Sequence, residues 1–267
     1  MPARASLVRL IGLLSVFSCY ADPLFADPVV YSATDFGDAL WDTTVIYESG
    51  VTGSVSGWHV ETGGHTGAFR QCRVTLDAGG PGAVWGFHRC IPFTFSPQTQ
   101  GAIDWIDHSE YAISIDPPGY GHNTGPAIRQ EGVVYVVSGL FTYETSWTYK
   151  SLTNLVASDF YVVGSPSSAH PDFSANGSPF EIGFVTGHST KISQHGSRDV
   201  DVGIDNWTFV VNPVPEPFSL AFLGSAFVGV LAYRLRRGAT GREVALCPRR
   251  PAERSGSPRL RYRRVGS

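Results

Sequence analysis

Asp104, Asp107 and Glu110 form the densest run of acids in the chain, and paired carboxylates are what glycoside hydrolysis needs. On an extended strand Asp104 and Asp107 face opposite sides. Asp104 and Glu110 share a face but stand about 20 Å apart at about 3.3 Å per residue, against roughly 5 to 9.5 Å for a working pair. The histidines, among them His59, His65, His88, His122, His188 and His195, show no His-x-x-x-His pair and no cysteine at zinc spacing. No Gly-x-Ser-x-Gly elbow occurs, and the glycine-rich segments precede strand-like runs rather than helices, so acyl transfer and phosphate cradling find no support. The chain is read as non-catalytic.

Stacking is the chemistry that remains. Six tryptophans and many tyrosines are present, and exposed aromatic faces stack on the CH-rich undersides of pyranoses, although the same rings also fill sandwich cores. Tyr120, set in a Pro/Gly loop, is the aromatic expected to be most exposed. A glycan site would use Tyr120, Trp105 and Trp147, with His122 and Asn123 as polar partners.

The elements that must position these residues repeat with period two. Ala68 to Asp77, Ala83 to Phe93, Ala102 to Asp116, Val133 to Val137, Trp147 to Tyr149, Phe160 to Val163, Phe180 to Val185 and Val202 to Val211 are rich in β-branched and aromatic residues. Turn clusters separate them at 77–82, 117–121 and 165–168. No helical stripe appears between the two ends of the chain. The fold class is all-β, a two-sheet sandwich of jelly-roll connection over residues 27–212.

The ends differ from this body. Arg4 and Arg9 precede the apolar run Leu10 to Phe17, and small-residue cleavage sites follow, which reads as a signal peptide over 1–26. Near the other end Phe218 to Tyr233 is 16 residues without charge, roughly 24 Å of helix at about 1.5 Å per residue, followed by Arg234, Arg236 and Arg237. With Leu235 included and the arginines snorkelling, this is a single membrane span, and arginine on its cytoplasmic side places the body on the opposite face. The body holds seven Lys and Arg against nineteen Asp and Glu, which disfavours nucleic acid and anionic membrane as its partners and suits divalent cations or neutral glycans. Residues 238–267 are arginine-rich with few apolar residues and should be disordered. That tail either binds anionic lipid or nucleic acid on the cytoplasmic side or has no role.

The segment Val214, Pro215, Glu216, Pro217, then the apolar span, then Arg234, Arg236 and Arg237 resembles the PEP-CTERM sorting signal of Gram-negative bacteria, here spanning 213–237. The resemblance implies that Pro215, Glu216 and Pro217 are recognised by exosortase, a membrane protease-transpeptidase of organisms that make extracellular polysaccharide. Members of that family end within a few residues of the arginine cluster, whereas this sequence continues to Ser267.

Gly57-Trp58, Gly63-Gly64-His65-Thr66-Gly67, Gln100 to Ile103, Trp147, Pro171 to Ser174, Phe180 to Phe184 and Gly203 to Trp207 resemble an exported jelly-roll module found ahead of such signals. It is distantly similar to lectin and carbohydrate-binding sandwiches. In similar jelly rolls an acid at the place of Asp205 helps hold a structural calcium, to which Asp35 or Asp38 would contribute here. The other reading has Asp205 accepting turn amides. Calcium is the one cofactor the sequence suggests.

Export also permits a disulfide, expected between Cys72 and Cys90, with two buried thiols as the alternative. Together these readings describe an exported matrix protein, anchored by one helix and then at the cell surface or released. Its role is structural or interactive, the alternative being a carbohydrate-binding module of extracellular polysaccharide, and its expected partners are an exosortase-like protease and, in the alternative, that polysaccharide.

Overall fold

The computed structural model describes residues 27–166, 168–191 and 196–214, all within one compact unit. The expected signal peptide, the apolar span, Pro215, Glu216, Pro217, Arg234, Arg236, Arg237 and the basic tail lie outside the described residues. Among those described, no helix is long and apolar enough to cross a membrane.

Twelve strands form a jelly-roll-like sandwich of two antiparallel sheets. They are β1 (Val29–Ala33), β2 (Trp41–Ser49), β3 (Gly53–Val60), β4 (Phe69–Leu76), β5 (Gly82–Phe95), β6 (Ile103–Asp116), β7 (His122–Gln130), β8 (Val133–Val136), β9 (Leu140–Thr142), β10 (Thr148–Leu155), β11 (Phe180–Thr190) and β12 (Arg198–Pro213). Sheet A runs β10-β6-β12-β4-β3, with β1 also on β12; sheet B runs β2-β5-β11-β7-β8, with β9 also on β7.

The period-two segments give β4, β5, β6, β8, β11 and β12; more and less buried residues alternate along β4, β6 and the second half of β12, as one covered face requires, whereas β11 is buried on both faces. Phe160 to Val163 is a correction. It makes a single bridge, Tyr161 to Val136, and then crosses the outside of sheet B, where Tyr161 and Val163 pack against Phe87, Ala127, Val136 and Val185. Strand β7 carries Gly125 and Pro126 and is buried on both faces, so it lacks the alternating signature. Its proline falls where the strand leaves β9 and takes up β8, so no ladder bond is lost to the missing N–H.

Trp207 is the centre of the core, fully buried against Trp41, Phe184, Phe93 and Phe209. Polar groups cross this core in two seams. In one, Arg70 lies over the Trp41 ring at 5.2 Å and donates to Thr43 Oγ1 at 3.4 Å; the Thr43 hydroxyl meets His88 Nδ1 at 3.2 Å, and His88 Nε2 meets Thr186 Oγ1 at 2.9 Å. Gly57 makes room for it, since a Cβ there would stand 2.8 Å from Arg70 Nη2. In the other seam Thr124 donates to Glu110, whose second oxygen is 3.2 Å from His108 Nε2, while His108 Nδ1 is 3.1 Å from the Thr208 carbonyl.

The expected Cys72–Cys90 bridge is not formed. Both are free, buried thiols on different sheets, and Cys72 Sγ sits 3.8 Å from His88 Nδ1. Burial pushes both thiols up to about 12. Alkylation of the native, unreduced protein should therefore leave Cys72 and Cys90 unlabelled, and labelling in denaturant without reductant should modify both, read by peptide mapping.

Burial, aided by the nearby Arg70 charge, holds His88 well below the ordinary histidine range. The unfolded chain then binds a proton that the folded one refuses, so this contribution is complete above about pH 6.5 and is lost as pH falls below it. Replacing His88 by Gln keeps a hydrogen-bonding side chain but removes the titration. Between pH 6.5 and 5 the fall of urea-unfolding free energy with pH should be shallower in H88Q by up to about 1.4 kcal/mol per pH unit.

Candidate carbohydrate-binding face

The outer face of sheet A gathers aromatic side chains from strands distant in sequence. Cross-strand partners share a face, and the register sets Trp58 (β3), Gln71 (β4), Gly203 (β12) and Ile113 (β6) in one row. Tyr111 (β6) and Tyr149 (β10) oppose each other in the next. Five strands at about 4.8 Å per step give a platform about 19 Å wide, enough for a short oligosaccharide.

Trp147 covers the middle of the first row because Gly203 has no side chain. A Cβ at Gly203 would come 2.8 Å from the indole. The indole meets Phe69 edge to face at 5.3 Å and donates Nε1–H to the Gly63 carbonyl at 3.0 Å. His65 stacks on Tyr111 with centroids 3.6 Å apart, and Tyr111 meets the exposed Tyr149 edge-on at 5.4 Å. On the other side of Gly203, the Arg73 guanidinium lies 5.5 Å from the Trp58 ring centroid.

The polar groups between the rings are fixed by one another. Arg73 is bidentate on Asp201 at 2.8 and 2.9 Å and reaches Asp199 at 3.0 Å, while Gln71 donates to Asp201 at 2.7 Å. The Asp201 hydrogen bonds raise the Arg73 pKa further above its ordinary value. The pair leaves planar donors and acceptors beside Trp58 in a locked geometry, the kind of surface that reads sugar hydroxyls.

Residues 61–68, between β3 and β4, fold back over this face and are held by Asp205. Its wholly buried carboxylate accepts the Thr66 amide at 3.0 Å and the Asn206 amide at 2.6 Å, and the Thr66 hydroxyl donates to Asn206 at 2.9 Å. Asn206 adopts φ +47, a left-handed conformation that asparagine tolerates, where β12 bulges against β6. Asp205 thus acts on turn amides, the second of the two readings above.

The other acids named for calcium have partners of their own. Asp35 accepts the Gly37 amide in its own loop, and Asp38 is engaged by the His59 amide at 2.8 Å and by Arg70 at 3.6 Å. Among the described residues no three His, Cys, Asp or Glu side chains are grouped as metal ligands.

The five residues expected to share a glycan site are dispersed. Trp147 is on the platform; Trp105 is on the same sheet but at the other end of β6, bonded to Asp107 and opposite Asn212. Tyr120 is exposed in the β6–β7 turn with Arg198 over its ring at 5.1 Å. His122 is buried, and Asn123 lies opposite Phe141 on sheet B. No spacing in the sequence marks Trp58, Tyr111 and Tyr149 as a group, because only the strand register brings them together. Asp104 is exposed, and Glu110 is sealed in the core.

No family model and no curated protein matches the chain. Solved structures do. A family 11 carbohydrate-binding module from Clostridium thermocellum, in complex with a β-1,3-1,4-mixed-linked tetrasaccharide, is 16% identical with a TM-score of 0.39, over 70% of this chain and 98% of that one. The CBM22-1 xylan-binding domain from Paenibacillus barcinonensis Xyn10C is 9% identical with a TM-score of 0.38, over 72% of this chain and 98% of that one. Likeness at this level leaves the ligand of this chain to be read from its own residues.

Replacing Asp205 by Ala should cost about 1–3 kcal/mol, the penalty for orphaning buried amides. It should also abolish hydrogen-exchange protection of the Thr66 amide and shift Trp147 fluorescence, since the same loop supplies the indole's acceptor.

Proposed function

We propose that this protein is an exported, non-catalytic polysaccharide-binding component of an extracellular matrix, and that the outer face of sheet A is its binding surface. The observation that carries the reading is the convergence of Trp58 from β3, Tyr111 from β6, Tyr149 from β10 and Trp147 just before β10 onto one face, around the rigid Gln71, Arg73 and Asp201 cluster. Aromatic platforms bind sugar rings through their CH faces, and planar polar groups beside them select hydroxyl orientation. The acidic body repels polyanions and Arg73 is already neutralised by two aspartates, so neutral glycans are the favoured class.

Delivery belongs to the same proposal. The leader and the PEP-CTERM-like segment at 213–237 would carry the body across the membrane, hold it by one helix, and present Pro215, Glu216 and Pro217 to an exosortase-like protease. The mature body would then reside at the cell surface or among the polysaccharide.

Affinity electrophoresis in gels containing neutral β-glucan or xylan, with alginate as polyanionic control, tests the binding surface. The protein should be retarded by at least one neutral polymer and not by alginate. Trp58→Ala and Tyr149→Ala should each weaken binding roughly tenfold, about 1.4 kcal/mol, with the melting temperature of the exposed Tyr149 variant unchanged. Full retention of affinity in both variants would remove sheet A from the account.

A further inference from the structure

The inner face of sheet B carries a row of polar groups that glycan binding does not use. The register sets Gly187 of β11 opposite Asn123 of β7, which makes His188 and His122 cross-strand neighbours, and His122 in turn lies opposite Thr142 of β9. The two imidazole centroids are 5.8 Å apart with planes at 48°. His188 Nδ1 lies 2.7 Å from the Gly121 carbonyl, which can only accept, so the proton is on Nδ1 and the lone pair on Nε2. His122 is wholly buried, and neither of its ring nitrogens has a hydrogen-bond partner; nor does the Thr142 hydroxyl beside it. The Val200 carbonyl stands against the His122 ring.

Three orphaned polar atoms in one row would each cost about 1–3 kcal/mol, and buried groups in folded proteins are rarely left so. The ring separation fits a shared metal ion. A nitrogen about 1.1 Å from its ring centroid and about 2.0–2.1 Å from a metal puts that ion about 3.2 Å from each centroid, so two imidazoles sharing it stand about 5 Å apart at a tetrahedral angle and about 6.3 Å apart when opposed. The observed spacing falls between these limits.

We propose that His122 and His188 form a bis-imidazole site for one divalent first-row transition ion of the Zn2+ or Cu2+ class, with the Thr142 hydroxyl bonded to a water that completes the coordination shell. Imidazole nitrogen is the ligand type these ions share. The His188 bond to Gly121 is the outer-shell support that metal-bound histidines make. Burial holds His122 down to about 3 and lowers His188, so both rings are in the neutral, ligating form at physiological pH. Asp201 supplies a nearby negative charge, and the slightly exposed edge of His188 opens the site to solvent. Two protein ligands make this an exchangeable site that stiffens one end of the sandwich, separate from the outer face of sheet A.

The test uses the full-length protein stripped with EDTA. Equilibrium dialysis against Zn2+ should load one equivalent, and one equivalent of Cu2+ should give an electron paramagnetic resonance spectrum with superhyperfine splitting from two nitrogens. His188→Gln should lower affinity for either ion at least tenfold and remove that splitting while leaving the apo melting temperature close to wild type. His122→Gln should do the same; if it fails to fold, the His188 variant and the wild-type spectrum decide. Failure of the wild type to retain either ion, or retention with unchanged affinity and spectrum in H188Q, overturns the proposal. Loss of neutral-glycan binding in W58A leaves it untouched, because the two sites lie on different sheets.

Discussion

The buried carboxylate of Asp205 is the contact on which the rest of this architecture depends. It sits where β12 changes neighbour from β4 to β1, and the bulge there turns Trp207 into the core while Asp205 itself stays under the 61–68 loop. A buried anion is costly unless its lone pairs are used, and here they are used on backbone amides. Through that loop the same carboxylate fixes Gly63, the acceptor for Trp147, and His65, the ring stacked on Tyr111. Core closure and the arrangement of the aromatic face are thus two consequences of one charge.

The interior shows the same economy with polar groups elsewhere. Arg70 is wholly enclosed by Trp41, Thr43 and a space left by Gly57, and reaches an exposed carboxylate, Asp38, at 3.6 Å. Glu110 and His108 bond across the other seam with a threonine on the far sheet. Such seams add little net stability compared with apolar packing, but they punish a sheet-to-sheet slip, because a shift by one residue would bury each charge without its partner. Register is therefore enforced by polarity in a core whose bulk is aromatic.

Much of the scaffold was legible in the sequence, because strands with one covered face must alternate; β4, β6 and β12 do so over most of their length. The alternation also separated Asp104 from Asp107 and kept a hydrolase pair from being assembled out of them. What stayed hidden has physical reasons. A strand buried on both faces, such as β7, has no period; a segment such as 160–163 can bury its apolar residues on the outside of a sheet as well as inside one. The aromatic face depends on which strands are neighbours, and β3 with β10 are the two opposite edges of sheet A. The motifs Gly63 to Gly67, Trp147 and Gly203 to Trp207, scattered along the chain, meet in the Asp205 clamp, so their residue types answer to backbone geometry. The two cysteines show the limit of reasoning from compartment alone: an oxidising setting would permit a bridge, but pairing is decided by side-chain geometry in the core, where both are free, buried thiols.

The placement of β12 carries a consequence for biogenesis. The last strand of the body lies in the interior of sheet A, between β6 on one side and β4 and β1 on the other. The first and last strands of the body pair with each other, Val29 standing opposite Val211. No partial chain can complete that sheet, and contacts of such long sequence separation form slowly. Until residue 213 has left the ribosome, sheet A lacks the strand that joins β6 to β4 and β1, so the sandwich closes only after the whole of β12 has been made.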